Sequence, residues 1–338
     1  MERIPTRCKA FDELLDGGLA TGTITQLFGE KALGKSIFSH QAACSVVAGG
    51  RSAVILDTEQ SYSSYLLPYR QKGMDARFGK EIPVHDLRLE RLPRQSGRKK
   101  GTTRGELLTA IGGTLDRLGV SYTDAHLGPI ADILCPTFDV AIPSKEPSVF
   151  VLQTPQVTDL LNLHGVDASI EVSSGGRVEL RQKAAPSYES ALRTIIRDTG
   201  AKLLVYDSVS APFKSAFFST QDLPARSAGL AAILSHAQRL CIEFGIAVLA
   251  VSHVTISPID EWDRRPYGGL ILGHDAKFSF ELTKATAMRR AKWNPTAVNP
   301  DDEPGDGPDG RAFWVLRHPA MADYSRYGFS RITEEGFT

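Results

Sequence analysis

The sequence predicts an α/β protein with a largely parallel central sheet flanked by helices. Three observations carry that expectation. Short continuous apolar runs recur, as in Ala53-Val54-Ile55-Leu56, Leu203-Leu204-Val205-Tyr206 and residues 246–251 (IAVLAV). Strands buried on both faces of a parallel sheet read this way. Helix-patterned stretches alternate with them. In the clearest, from Pro224 to about Phe244, the residues Leu230, Ile233, Leu234, Ala237, Leu240, Cys241 and Phe244 keep i, i+3, i+4, i+7 spacing. Finally, the first strand-to-helix junction carries Gly29-Glu30-Lys31-Ala32-Leu33-Gly34-Lys35-Ser36, which fits G-x-x-x-x-G-K-[ST], a phosphate-binding loop.

Composition bounds the rest. The 338 residues suffice for one large or two modest domains, with 42% hydrophobic and 23% charged residues. Lys+Arg and Asp+Glu both number 39, so no whole-molecule basic field attracts nucleic acid, and any such contact must be local. Cys8, Cys44, Cys135 and Cys241 are scattered, with no C-x-x-C, which argues against a zinc site or a disulfide framework and fits a reducing cytoplasm. The N-terminal residues have no apolar signal region, and no apolar run approaches the roughly 18 residues of a membrane span.

In chain order, residues 10–18 read as a short helix ended by Gly17-Gly18. Ile24, Leu27 and Phe28 form a strand before the glycine loop. Residues 35–48 hold no Gly or Pro and read as the helix after it, stopped by Gly49-Gly50. The run 53–56 ends in Asp57-Thr58-Glu59. Residues 76–147 read as an insertion. Within it Arg88, Arg91, Arg94, Arg98, Lys99, Lys100 and Arg104 face only Glu90, either as a solvated loop or as a nucleic-acid contact. Leu107, Leu108, Ile111, Leu115 and Leu118 then keep helical spacing. Residues 148–153 read as a strand, 155–164 as a helix and 168–182 as a hairpin around Gly175-Gly176. Residues 187–198 are helical, and 203–207 a strand ending in Asp207. Phe278, Phe280 and Leu282 alternate like a strand with one buried face. Residues 311–317 and 328–333 suggest two closing strands after an acidic loop at 300–310.

The chemistry follows from the glycine loop. Its backbone N–H groups would cradle phosphate oxygens at a helix N-terminus. Lys35 would reach the β- and γ-phosphates and Ser36 would ligate Mg²⁺, so ATP and Mg²⁺ are the expected cofactors. Asp207, at the tip of an apolar strand, is placed to order the metal through water; its bland alternative is an aspartate capping the next turn. Glu59 ends a neighbouring strand, at the edge where parallel strands collect their C-termini. A carboxylate there can polarise water.

These segments carry a resemblance. GGLATGTITQLFGEKALGKS, LDTE, LLVYDS, AVLAVSHV and PYGGLILGHDAKFSFELTK, in that order, with FSRITEEGF at the end, resemble the RecA/RadA recombinase ATPase core. The likeness spans residues 10–75 and 185–338 and points to the archaeal RadB-type and RadA-like paralogues, which lack an N-terminal helix-hairpin-helix domain. It implies one RecA-like ATPase domain over 1–338 with antiparallel C-terminal strands; residues 76–147 read as an insertion within it that the resemblance does not explain. It implies a nucleotide site of Gly29, Glu30, Lys31, Ala32, Leu33, Gly34, Lys35, Ser36 and Ile37, with Glu59 and Lys35 catalytic and Ser36 and Asp207 on the metal. Ser252-His253 occupies the place of an Asn-Gln pair that senses the γ-phosphate. Residues 217–224 and 255–267 correspond to the two DNA-binding loops, with Arg226 near the first and Arg264 and Arg265 in the second as candidate contacts; Arg98, Lys99 and Lys100 are candidates from the basic cluster alone. Arg317 falls where a basic residue touches a neighbouring subunit's γ-phosphate.

The sequence also departs from that pattern. His253 replaces Gln, the first loop lacks an Arg-Gly signature, and no F-x-x-A peptide precedes the core. Two readings follow. One is a DNA recombination and repair ATPase, a recombinase paralogue or mediator that binds single-stranded DNA and works with a RecA/RadA-type recombinase or with itself. The other is a KaiC-like regulatory ATPase that binds protein partners and no DNA. Either would be cytoplasmic, with no membrane partner.

Overall fold

The structure, a computed structural model, describes residues 2–63, 66–87, 90–91, 112–113, 115–117, 121, 138–139, 142–173, 177–182, 190–217, 219–256, 264–267, 275–285 and 309–338. The chain opens with β1 (Arg3–Ile4), α1 (Lys9–Leu14) and β2 (Leu19–Ala20). It continues with β3 (Ile24–Gly29), α2 (Lys35–Ala48), β4 (Ser52–Asp57), α3 (Leu66–Phe78) and β5 (Val84–Leu87). Next come the short pair β6 (Glu90–Arg91) and β7 (Phe138–Asp139), then β8 (Val149–Gln153), α4 (Val157–Leu163), β9 (Ala168–Val172) and β10 (Val178–Gln182). The second half runs α5 (Ala191–Thr199), β11 (Ala201–Asp207), α6 (Ala211–Ala216), α7 (Leu223–Phe244), β12 (Ala247–Ile256) and β13 (Arg264–Pro266). It closes with β14 (Phe278–Lys284), β15 (Gly310–Arg317), β16 (Tyr327–Thr333) and β17 (Gly336–Phe337).

One 11-stranded sheet organises these elements in the order β17-β16-β15-β14-β3-β12-β11-β4-β8-β5, with β13 paired to β12 off that path. From β14 to β5 every pairing is parallel. From β14 outward to β17 every pairing is antiparallel. The continuous apolar runs of the sequence are the interior parallel strands. Ile55 packs into the core on one face, while Val54 and Leu56 beside it pack into the other. Successive strand residues point to opposite faces, so a strand buried on both sides needs apolar residues at every position.

Helices α1 to α3 cover one face. There Phe11, Phe38, Phe280, Phe313 and Phe337 form a linked set of rings with centroids 4.7–5.6 Å apart. Helices α4 to α7 cover the other, through residues such as Leu160, Leu192, Ile195, Ile233 and Leu240. Helix α7 stops where Gly245 turns left-handed at φ 58°. The expected hairpin is the β9–β10 pair, Val172 facing Val178.

Three local readings differ from the sequence expectation. The first helix ends at Leu14, and Asp16, Gly17 and Gly18 form the turn, all at positive φ. Strand β14 is buried on both faces rather than one: Phe278, Phe280 and Leu282 join the core on one face, and Ser279 and Glu281, pointing to the other, are buried too. Inside it, Ser279 donates to Gln26 and Glu281 Oε2 accepts from Tyr324. Position 76, where the insertion was expected to start, falls within α3, and β5 is an edge strand of the main sheet beside β8. The basic stretch beyond Arg91 and most of the apolar spacing at 107–118 lie outside the described residues.

Candidate functional site

Register fixes which residues meet at the C-terminal edge of the parallel strands. His253 of β12 is paired with Gly29 of β3, and Asp207 of β11 with Asp57 of β4. The glycine loop leaves β3 at that edge and enters α2 at Lys35. Ala32 and Gly34 both have positive φ, 64° and 98°. At Gly34 the left-handed backbone disfavours any side chain, and the Ile332 Cδ1 atom, 2.5 Å from where a Cβ would sit, would have to move aside. Successive peptides in such a loop turn their N–H groups to one side, which makes a concave anion site at the start of α2.

Lys35 is buried and folds over the loop. Its Nζ donates to Gly29 O at 2.9 Å and to Glu30 O at 2.6 Å. Burial lowers its pKa, opposed by the nearby Asp207, Glu59 and Glu30 charges. Lys31 and Ala32 are exposed at the loop tip, Leu33 is buried, and Ser36 and Ile37 are half-buried on the first turn of α2.

Two buried aspartates flank the loop with different tasks. Asp57 accepts backbone N–H groups from Ser61 at 3.0 Å, Tyr62 at 3.0 Å and Glu59 at 3.3 Å, and so shapes the turn that carries Glu59. Burial pushes its carboxyl up, and those three hydrogen bonds pull it back. Tyr62 closes the turn onto α2 by donating to Ser36 O at 3.3 Å. Asp207 is almost fully buried, and its Oδ2 finds no hydrogen-bond partner among the described residues. Burial raises its pKa to about 6; the Ser36 hydroxyl favours the ionised form, and Glu59 and Asp57 disfavour it. A buried carboxylate oxygen without a partner, next to a hydroxyl on a helix N-terminus, suits a hard cation with oxygen ligands.

Glu59 sits at the rim. Its Oε1 accepts Ser208 Oγ at 2.6 Å and faces His253 Nε2 at 2.7 Å. The hydrogen bond from His253 is the largest cause holding the Glu59 pKa down, at about 2, and Ser208 adds to it while burial opposes. Thr58 Oγ1 donates to Ser208 O and accepts Ser208 N, at 2.7 and 2.8 Å, which ties the Glu59 turn to the end of β11. The Asp207–Ser208 peptide there is cis.

The structure therefore brings Lys35, Ser36, Glu59, Asp207 and His253 to one edge. It does not bring Arg317 there. That residue is exposed at the far end of β15, where its partner Ser279 pairs with Gln26, three positions back along β3 from Gly29. Arg226 is half-buried and engaged by Tyr267, with its Nη1 3.0 Å from the hydroxyl and its guanidinium carbon 4.6 Å from the ring centroid. Arg264 and Arg265 lie in β13, with Arg265 exposed. Among the described residues of the stretch 217–224, Phe217 and Asp222 are buried, Asp222 accepts from Val178 N and Ser219 N, and Ser219, Thr220, Gln221, Leu223 and Pro224 are exposed. Arg98, Lys99, Lys100 and the block 268–274 lie outside the described residues. Sequence reasoning missed Asp57, Ser208 and Arg311 at the site. An acid at the end of an apolar strand was a usable signal for Asp57. Nothing in the sequence pointed to the other two.

A parallel sheet with a phosphate loop after β3 and carboxylates ending β4 and β11 defines a RecA-like P-loop core. A family model described as Rad51 matches residues 1–78 and 187–303, more than half of the chain, and the chain belongs to the Rad51 family. It is 48% identical over 56 residues to the DNA repair and recombination protein RadB of Halobacterium salinarum, covering 17% of this chain and 24% of that protein. It is 25% identical over 292 residues to the DNA repair protein Rad51 homolog of Drosophila melanogaster, covering 85% of this chain and 62% of that one. The Schizosaccharomyces pombe DNA repair protein rhp51 is 25% identical over 298 residues, 85% of this chain and 57% of its own. The matches thus span about a quarter of the RadB relative and under two thirds of the two Rad51-type relatives. Among the described residues no helix is long and apolar enough to cross a membrane.

Proposed function

We propose that this chain binds ATP with Mg²⁺, hydrolyses it, and acts on single-stranded DNA in recombination and repair, as a recombinase paralogue or mediator. The observation that carries the reading is the convergence of Lys35, Ser36, Asp207 and Glu59 at one sheet edge in a Rad51-family chain. Lys35 would exchange its two loop carbonyls for the β- and γ-phosphates, and the backbone from Gly29 to Ile37 would line the phosphates. Ser36 and Asp207 would hold Mg²⁺, which neutralises phosphate charge when bound. Glu59 orients water through its second carboxylate oxygen, since Oε1 is committed to Ser208 and His253. His253 is the γ-phosphate sensor, able to trade Glu59 for a phosphate oxygen.

Arg226, Arg264 and Arg265, with Arg98, Lys99 and Lys100, are the proposed DNA contacts. Arg317, set back from the strand edge that carries Lys35 and Glu59, suits a contact to a neighbouring subunit's nucleotide rather than to this one. A RecA/RadA-type recombinase or a second copy is the proposed protein partner. The chain is read as one ATPase domain with an insertion, working in the cytoplasm. The comparisons lend the KaiC-like alternative no support. The test is ATP turnover with and without single-stranded DNA. Stimulation supports the reading; turnover indifferent to DNA removes its DNA half and leaves a protein-directed ATPase.

A further inference from the structure

Arg311 opens β15, far in sequence from the glycine loop, yet its Nε donates to Leu33 O at 3.0 Å and its Nη1 to Gly310 O at 2.8 Å. The residue is 8% exposed. Burying a guanidinium is costly unless its N–H groups find acceptors, and here a loop carbonyl is one of them. Leu33 lies between Ala32 and Gly34, the two positive-φ residues of the loop. Its carbonyl belongs to the Leu33–Gly34 peptide. In a planar trans peptide the C=O and N–H point in opposite directions. A donor that holds Leu33 O toward β15 therefore turns the Gly34 N–H away from β15.

The C-terminal strands grip the same spot from the side. Ile332 Cδ1 and Phe337 Cζ lie 2.5 and 3.1 Å from where a Cβ on Gly34 would be. Phe337 N donates to Gln41 Oε1 at 2.7 Å, and Gln41 Nε2 returns a bond to Phe337 O at 3.1 Å. These contacts seat the loop and the first turns of α2 against β15 to β17. Only Arg311 reaches a loop carbonyl from that side with a charged donor among the described residues.

We propose that Arg311 is a positioning residue for the phosphate loop: by holding Leu33 O it aims the Gly34 N–H at the phosphates of a bound nucleotide. This rests on the reading of the loop as an ATP site. The fixed cation behind the loop adds favourable potential for an anion. Its geometry, more than its charge, sets the peptide plane. A guanidinium presents its donors to the two carbonyls in a rigid planar fork; an ammonium on a flexible stem does not fix that plane.

The experiment measures Kd for ATP and ADP in wild type, Arg311→Met and Arg311→Lys, well below each melting temperature. Arg311→Met is expected to weaken both nucleotides about 10-fold, the effect of one charge-assisted contact. Arg311→Lys is expected to recover part of the loss but remain about 3-fold weaker than wild type. An arginine that only stabilises the fold would lower the melting temperature and leave Kd of the folded protein unchanged. Wild-type Kd values in Arg311→Met would overturn the proposal. Should that variant fail to fold, wild-type Kd values in Arg311→Lys would do the same. A wild-type protein that binds no ATP would instead overturn the nucleotide reading.

Discussion

His253 Nε2 lies 2.7 Å from Glu59 Oε1, and the Ser208 hydroxyl reaches the same oxygen at 2.6 Å. The pair joins the end of β12 to the turn after β4, 194 residues apart in sequence. Two donors on one oxygen stabilise the carboxylate, so Glu59 stays ionised down to about pH 2. A carboxylate that acidic is a poor proton acceptor but a good hydrogen-bond acceptor, and it orients water better than it deprotonates it. Moving His253 onto a phosphate would remove the largest cause of the shift and make Glu59 more basic when nucleotide is present. Glu59→Gln is therefore expected to retain ATP binding and slow turnover by roughly 100-fold or more. Steady-state turnover at saturating ATP checks this, and a normal rate would mean that another group handles the water.

The same pair predicts a pH effect with a definite sign. Glu59 works ionised, so activity falls when it is protonated. In wild type that happens only near its depressed pKa of about 2. His253→Ala removes the first cause of the depression, and the pKa moves back toward the ordinary 4.5. Asp207, with its pKa raised to about 6, already limits activity on the acid side in both proteins. The effect is therefore read as a further drop in the ratio of activity at pH 5 to that at pH 7 in His253→Ala relative to wild type. His253→Gln keeps a neutral donor and should stay close to wild type. Superimposable profiles for wild type and His253→Ala would separate the two residues functionally.

Lys35 carries the third prediction. Its Nζ is held by Gly29 O and Glu30 O, so the side chain is already folded over the loop. Lys35→Ala removes a charged contact to phosphate, worth roughly 1.5–3 kcal/mol, and should weaken ATP by about 10- to 100-fold. Gly29 is buried, so its carbonyl loses a donor and the melting temperature should fall as well; the titration is run well below it. Calorimetric titration with ATP measures the loss. An unchanged affinity would take the phosphate site away from this loop.

What the sequence made legible follows from local physics. The strands β4, β11 and β12 were visible because burial on both faces demands unbroken apolar runs, and the glycine loop because its backbone admits few residues. Helix α3 was not visible, since Pro68 and Gly73 weaken its pattern. Gly73 is there because Glu334 O lies 2.0 Å from where its Cβ would be, a contact no local window reveals. Strand β5 reads VHDL and depends on pairing with β8. The Glu59–His253 pair and Arg311 over Leu33 are properties of register and of the C-terminal strands' return to the loop, so only the assembled sheet exposes them.

The basic stretch predicts a salt dependence. If Arg98, Lys99 and Lys100 each neutralise one phosphate of a single strand, replacing all three with Ala should flatten log Kobs against log salt by about 2 units. Fluorescence anisotropy across a salt series measures the slope. An identical slope in the triple variant would return the stretch to a solvated loop.

The last prediction concerns a buried chain of hydrogen bonds under α7. Tyr206 OH lies 3.1 Å from His164 Nε2, His164 Nδ1 lies 3.0 Å from His236 Nδ1, and His236 Nε2 lies 3.3 Å from Ser190 Oγ. Satisfying the fully buried Tyr206 hydroxyl assigns the direction: Tyr206 donates to His164, His164 donates from Nδ1 to His236, and His236 donates from Nε2 to Ser190. Ser190 also caps α5 by accepting Arg193 N at 3.1 Å. Both rings are neutral in this arrangement, and a second proton on His164 would leave Tyr206 without its acceptor. Burial, with His236 adding to it, holds the His164 pKa well below the ordinary 6.5. The unfolded chain then binds a proton that the folded chain refuses. Stability from this group is complete above pH 6.5 and is lost as pH falls below it. His40 acts in the same direction, its pKa lowered to about 4 mainly by burial. His164→Gln keeps one acceptor and one donor but cannot titrate; it should cost about 1 kcal/mol at pH 7.5 and reduce, without abolishing, the fall in stability between pH 7 and 5. Urea unfolding across that range tests it. Parallel pH profiles for the two proteins would clear His164 of any part in the acid sensitivity.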